Sequence, residues 1–210
     1  MYKLCYFVGI LFLTSCITEG PVYLQSESFS TSAPVQFNNT RPQYKLKEND
    51  VLSIRVKSPE PSVAEQFNIG ALGGELTQAS LFLNGYVIDN KGEIVLPYVG
   101  KLKVIGMTVE EVQEKVQAAI DTYLKDATAM VKMVSFKVTV LGEVNRPGTY
   151  YVYDNEASVF ESIGLAGDIT KRGSRTNVKL IRKNSKGSEI ILLDLTDSNI
   201  MRSDYFYMMP

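Results

Sequence analysis

The sequence predicts an α+β chain of two small units in tandem, on three grounds. Short runs of aliphatic residues alternate with polar ones at period two, the mark of half-buried strands. Thr108 and Ser158 each stand three positions ahead of a Glu and open a helical stripe, the arrangement of a capping box. Clusters of Gly, Pro, Asn and Asp punctuate these runs at short intervals. At 210 residues, with 45% apolar and 21% charged, the chain has enough apolar surface for one or two ordinary cores. Its formal net charge is -1, with 22 basic and 23 acidic residues interspersed, so no basic face is built for a phosphate backbone and nucleic acid is not an expected partner. Histidine is absent, which removes the usual proton shuttle near neutral pH, every Ser-His or Cys-His pair, and the commonest metal ligand. No catalytic residue, cofactor or metal is therefore assigned, and the chain is expected not to be an enzyme.

The first element is an N-terminal targeting segment, residues 1–15. Lys3 is followed by a short apolar run from Leu4 to Leu13, about half of the ~20 residues a helix needs to cross a bilayer. This reads as a cleavable signal. Directly after it, Leu13-Thr14-Ser15-Cys16 resembles a bacterial lipobox, in which the cysteine is acylated and becomes the new first residue. The alternative is a plain secretory signal in which Cys16 is incidental. Cysteine arithmetic favours lipid: Cys5 leaves with the signal and Cys16 is modified, so the mature chain keeps no thiol to pair. Ile17, rather than Asp, permits transfer to the outer membrane under the enterobacterial rule. Residues 16–43, rich in Ser, Thr, Asn, Gln and Pro, then read as the lipidated N-terminus and a flexible tether.

The first folded unit is expected over 44–135. Leu52, Ile54 and Val56 alternate with Ser53 and Arg55, a strand entered through a polar turn at Glu48-Asn49-Asp50. Residues 58–85, with Pro59, Pro61 and glycines at 70, 73 and 74, read as a long insertion or loop. Val87 and Ile88 lead into the turn Asp89-Asn90-Lys91-Gly92, from which Glu93 to Leu96 returns as partner strand. Pro97 and Gly100 interrupt that strand and Lys101 to Ile105 resumes it. Behind the Thr108/Glu111 box, Val109, Val112, Val116, Ala119, Ile120 and Tyr123 form one helical stripe.

The order Asp89, Gly92, Ile94, Leu96, Pro97, Gly100, Val104, Gly106, Thr108, Glu111 resembles the export domain of bacterial polysaccharide export lipoproteins. Tyr44 and the run Asp50-Val51-Leu52-Ser53-Ile54 match the family's opening strand, while Lys47-Glu48-Asn49 replaces its glycine-rich turn.

The second unit is expected over 136–203. Val134, Phe136, Val138 and Val140 share one face of a strand running from Val131 to Leu141. Gly142 and the sharp turn Arg146-Pro147-Gly148 send the chain back through Tyr150 to Tyr153. The Ser158/Glu161 box opens a short helix that stops at Gly167. A hairpin follows, Asn177–Arg182 and Glu189–Leu195, around Asn184-Ser185-Lys186-Gly187. This outline is β-grasp-like, and Val140-x-Gly142-Glu143-Val144 with Pro147-Gly148, then Leu165-Ala166-Gly167, then Val178-x-Leu180-Ile181-Arg182 resembles the SLBB module that follows the export domain in the same family. Residues 204–210 read as the start of a truncated C-terminal segment, or the end of a shorter variant, since the family commonly continues into a strand and an amphipathic membrane helix.

Asp50, Asp89, Glu93 and Glu143 invite a search for a catalytic carboxylate pair, but Asp50 and Asp89 stand where turns favour Asp. Tyr151 and Tyr153 share one strand face and offer stacking surface with a hydroxyl; Lys171, Arg172 and Arg175 form a basic loop. These five are the candidate contacts to glycan or to a neighbouring subunit. The resemblance implies a lipid-anchored outer-membrane component, its domains mainly in the periplasm, assembling as a homo-oligomeric ring that passes capsule or exopolysaccharide. It also implies an inner-membrane partner, a polysaccharide co-polymerase/tyrosine kinase. The competing reading is a non-transporting glycan-binding lipoprotein of the periplasm or surface.

Overall fold

The structure, a computed structural model, describes residues 20, 22–26, 28–30, 32–39, 42–68, 77–184 and 187–210. The signal segment and Cys16 lie outside the described residues. The fold is α+β. Strand β1 (Val51–Lys57) buries Val51, Leu52, Ile54 and Val56 and exposes Arg55 and Lys57. The polar turn before it is closed by Asp50, whose Oδ2 accepts from the Lys47 N–H and the Tyr44 hydroxyl, both at 2.8 Å.

The stretch expected as a loop has structure of its own. It forms helix α1 (Pro61–Ala64), a 3₁₀ turn at Glu65–Phe67 and, beyond the undescribed 69–76, helix α2 (Gln78–Leu83). A third capping box, Thr77 with Ser80, opens α2. Sequence reading overlooked it because Ser, not Glu, closes the box. β2 (Tyr86–Val87) then pairs antiparallel with the start of β1, leaving the rest of that edge open. The Asn68 amide fills part of the gap, its Oδ1 accepting from Val56 N–H at 2.8 Å and its Nδ2 donating to Val56 O at 2.9 Å.

Two strand expectations are corrected. β3 (Glu93–Leu96) does not pair with β2; it forms a hairpin with β4 (Gly100–Lys103), Leu96 opposite Gly100 and Glu93 opposite Lys103. Pro97–Gly100 therefore reverses the chain rather than interrupting one strand. Tyr98 at φ 63° and Gly100 at φ 85° make the reversal tight. The Asp89 turn stands as expected, closed by Gly92 N–H to Asp89 O at 2.9 Å.

Helix α3 (Val109–Ile120) begins at the expected box, with Thr108 N–H donating to Glu111 Oε2 at 2.7 Å and Glu111 N–H to Thr108 Oγ1 at 3.2 Å. Val109, Val112, Val116 and Ile120 are buried; Tyr123 lies past the helix end and is 55% exposed, so it is not part of the stripe. The helix lies against β5 (Thr128–Met133), the third strand of the sheet ordered β2-β1-β5. Gln117 Oε1 accepts from Ala129 N–H at 2.7 Å and its Nε2 donates to Ala127 O at 2.8 Å, while Gln113 Oε1 accepts from Val131 N–H at 3.1 Å. The helix thus satisfies backbone groups that the edge strand would leave open.

Val131–Leu141 is not one strand. β5 ends at Met133, and β6 (Lys137–Val140) belongs to a different sheet, paired with β7 (Gly148–Tyr151). The Pro-Gly turn expected between them is a longer loop, 141–147, docked on 166–170: Asn145 N–H reaches Asp168 O at 3.0 Å and Arg146 N–H reaches Ala166 O at 2.8 Å. β8 (Ala157–Ser158) leads into α4 (Val159–Leu165), capped by Ser158 and Glu161 as expected. β9 (Val178–Asn184) and β10 (Gly187–Leu193) form the last hairpin. After a 3₁₀ turn at Ser198–Arg202, β11 (Tyr207–Met208) pairs with β8, and Phe206 is buried. Residues 206–208 thus pack on the body of the chain.

Among the described residues, two apolar cores result. The first is built from β1, β3, α3 and β5, and also takes in Phe136, Val138, Val152 and Ala157. The second gathers Val159, Ile163, Ala166, Ile169, Leu180, Leu193, Leu195 and Ile200. Tyr150 and Met208 pack against both. Part of the expected tether is docked as well: Leu24 N–H bonds Leu195 O at 3.1 Å, and Gln25 forms a parallel bridge to Asp197.

Candidate functional site

β7 and the two residues that follow it alternate in exposure. Val152 is buried and Tyr150 half-buried, its hydroxyl donating to Arg146 O, while Tyr151 and Tyr153 are 36% and 66% exposed on the other side. Tyr153 lines a groove of about 200 Å³ with Glu110, Gln113, Lys132 and Asp154. A larger cleft of about 750 Å³ lies beside it, walled by Tyr44, Thr108 and Glu110 from the first unit, by Asp154, Glu156 and Glu161 from the second, and by Tyr207 of β11. Asn155 Nδ2 donates to Glu110 Oε1 at 2.8 Å and ties the two walls together. The cleft floor includes Val109, Met133 and Phe206. Carboxylates over an apolar floor accept hydrogen bonds from hydroxyl or ammonium groups while burying the carbon skeleton behind them. Among the described residues no cluster of His, Cys, Asp and Glu is arranged to hold a metal ion.

The basic loop divides. Lys171 and Arg172 are exposed. Arg175 turns inward: its guanidinium meets Asp168 Oδ2 at 3.0 Å, donates to Ile169 O at 2.8 Å and lies over the Tyr23 ring at 4.9 Å. Its charge is already matched by Asp168, so it is withdrawn from the set of candidate outward contacts. The Tyr23 hydroxyl donates to the other Asp168 oxygen, closing a three-residue cluster that joins the N-terminal segment to the second unit. Burial alone would raise the Asp168 carboxyl, but the hydrogen bonds from Tyr23, Ile169 N–H and Arg175 outweigh it and hold the group below its ordinary value. Burial, then the bond to Asp168, pushes the Tyr23 phenol up.

Three of the carboxylates named from sequence, Asp50, Asp89 and Glu143, are engaged in hydrogen bonds within the chain. Asp89 Oδ1 accepts from Lys91 and Glu93 N–H at 2.9 and 2.8 Å, and the Glu93 bond does most to keep it below its ordinary value. Glu143 accepts from Thr170 at 3.0 Å. Sequence reading missed the cleft acids, because Glu161 was accounted for by its capping box and Glu110 by its helix. Only the fold brings residues 110 and 154–161 together.

Comparison with known proteins agrees with this architecture. A family model described as polysaccharide biosynthesis/export protein matches residues 38–134, and an SLBB domain model matches residues 137–193. The chain is 30% identical over 151 residues to the EPS I polysaccharide export outer membrane protein EpsA of Ralstonia nicotianae, covering 66% of this chain and 38% of that one. It is 26% identical over 191 residues to the capsule polysaccharide export protein BexD of Haemophilus influenzae, covering 85% and 46%. With the polysialic acid transport protein KpsD of Escherichia coli it shares 26% over 179 residues, covering 83% and 28%. The chain thus spans less than half the length of these relatives. Two domain models in tandem, matched to two units that share a wall, lead to one conclusion: the chain belongs to the polysaccharide biosynthesis/export protein family, with an SLBB domain following its export domain.

Proposed function

We propose that this chain is a lipid-anchored, outer-membrane component of a polysaccharide export conduit. Anchored through Cys16, its domains stand mainly in the periplasm, and several copies form a ring through which capsule polysaccharide or exopolysaccharide passes. The observation that supports this best is the export and SLBB matches in tandem, together with relatives whose names speak of polysaccharide export and outer membrane. Passage follows from geometry rather than reaction, and synthesis together with an inner-membrane co-polymerase/tyrosine kinase drives the polymer. In this reading the exposed Tyr151, Tyr153, Lys171 and Arg172 contact polymer or the neighbouring copy. Tyr faces stack on sugar rings while the hydroxyl bonds outward. The domains divide as 44–135 for export and 136–203 for SLBB.

The test compares surface polymer in a strain lacking the gene, complemented by the wild-type chain or by Cys16→Ser. The wild type is expected to restore surface polymer and to incorporate labelled fatty acid; Cys16→Ser is expected to do neither. Full restoration by Cys16→Ser would remove the anchor from the reading.

A further inference from the structure

We propose that the outward face of the β9–β10 hairpin seats in the acidic cleft of a second copy of this chain. The proposal rests on the ring reading above and adds which two surfaces meet. In an antiparallel hairpin, alternate cross-strand pairs share a face. Val178 with Leu193 and Leu180 with Ile191 turn inward, and Leu180 and Leu193 are buried. The opposite face carries Ile181 with Ile190, Lys179 with Leu192, and Lys183 with Ser188. Ile181, Ile190 and Leu192 are 65%, 67% and 63% exposed, adjacent on one regular surface. Single exposed apolar residues are ordinary, but a contiguous patch marks an interaction site.

The rim of that patch selects its partner. Its charged members, Lys179 and Lys183, are both cationic and both exposed, and no acid shares the face. The cleft supplies the opposite features: Glu110, Asp154, Glu156 and Glu161 around an apolar floor that includes Val109, Met133 and Phe206. Aliphatic side chains meet the floor while the ammonium groups meet carboxylates, a pairing of complementary potentials.

The two surfaces do not meet within one chain. Arg182, on the inward side of the hairpin, donates to Tyr207 O at 3.0 Å, and Tyr207 lines the cleft. The outward face therefore points away from the cleft of its own chain. A contact between two different surfaces is heterologous, and repeated copies close into a ring when the rotation between neighbours allows it.

The test uses the intact lipidated chain extracted in detergent, with mass measured by light scattering across a dilution series. The wild type is expected to run as an oligomer. Lys179→Glu with Lys183→Glu, or Glu110→Lys with Asp154→Lys, is expected to weaken association by about tenfold or more, because like charges then face each other. Mixing the two variants is expected to restore a mixed contact, which also shows that each is folded. An oligomeric wild type whose mass neither reversal changes, or reversals that mixing does not restore, would overturn this pairing and leave the ring reading standing. A wild type that stays monomeric at every concentration would overturn both.

Discussion

At Gly92 the backbone sits at φ +76°, and a Cβ there would stand 2.2 Å from Ile105 Cγ2. Both the left-handed conformation and the lack of room demand glycine. Gly92→Ala should cost about 1–3 kcal/mol, read as a lower urea midpoint with an unchanged slope. A second residue-scale test concerns Tyr86, whose hydroxyl reaches Phe67 O at 3.3 Å and whose phenol burial pushes up to about 12 from its ordinary 10.0. The folded state holds that proton more tightly than the unfolded chain. Its contribution is therefore complete below about pH 10 and lost as pH rises to about 12. Tyr86→Phe should lose less stability than the wild type between those pH values; an identical alkaline limb would contradict the assignment. Sequence pattern marked Gly92 correctly as the end of a turn, because that role is local. It did not mark Tyr86, whose burial depends on β2 finding β1.

At the scale of elements, α3 was legible almost to the residue and the sheet beside it was not. The helix announces itself through a box and a stripe that lie within one short stretch. Thr108→Ala removes an oxygen that accepts the Glu111 N–H and should cost about 1 kcal/mol, measured by thermal or urea unfolding. Gln117→Ala should cost about 1–3 kcal/mol, because Ala129 N–H and Ala127 O lose partners at the edge of β5. A cost near zero would show that water replaces the glutamine there. Strand pairing depended on residues far apart in sequence: β1 pairs with β5 through Leu52 and Met133, across most of the first unit. The β3–β4 reversal was missed because Tyr98 adopts a positive φ, which its residue type disfavours. The break at Met133 was missed although the alternation shifts phase there: Ala129, Val131 and Met133 are buried at odd positions and Val134, Phe136 and Val138 at even ones, where the backbone changes sheets.

For the whole molecule, the candidate contacts were partly legible. The pleat put Tyr151 and Tyr153 outward as alternation implies, but nothing in the basic loop's sequence showed that Arg175 would turn in to Asp168 and Tyr23. That cluster gives the N-terminal segment a fixed place beside Leu195. Because Asp168 is held below its ordinary 3.8, its contribution is present above that value and is lost as pH falls through the folded one. Asp168→Asn at neutral pH, or acidification of the wild type, should lower the protection factors of the Leu24 and Gln25 amides, each taken against the intrinsic exchange rate at the same pH, by about tenfold or more. Unchanged protection would mean the segment is held by its backbone bonds alone.

If this chain is part of an export conduit, polymer reaches the cell surface by way of it. The most direct measurement is the partition of polysaccharide between surface and periplasm in a strain that lacks the gene and has no second family member, with the full-length gene restored as control. Surface polymer is expected to be lost, with polymer retained inside or its synthesis shut down, and restoration is expected to reverse the change. Surface polymer at the wild-type level in that strain would contradict the conduit reading.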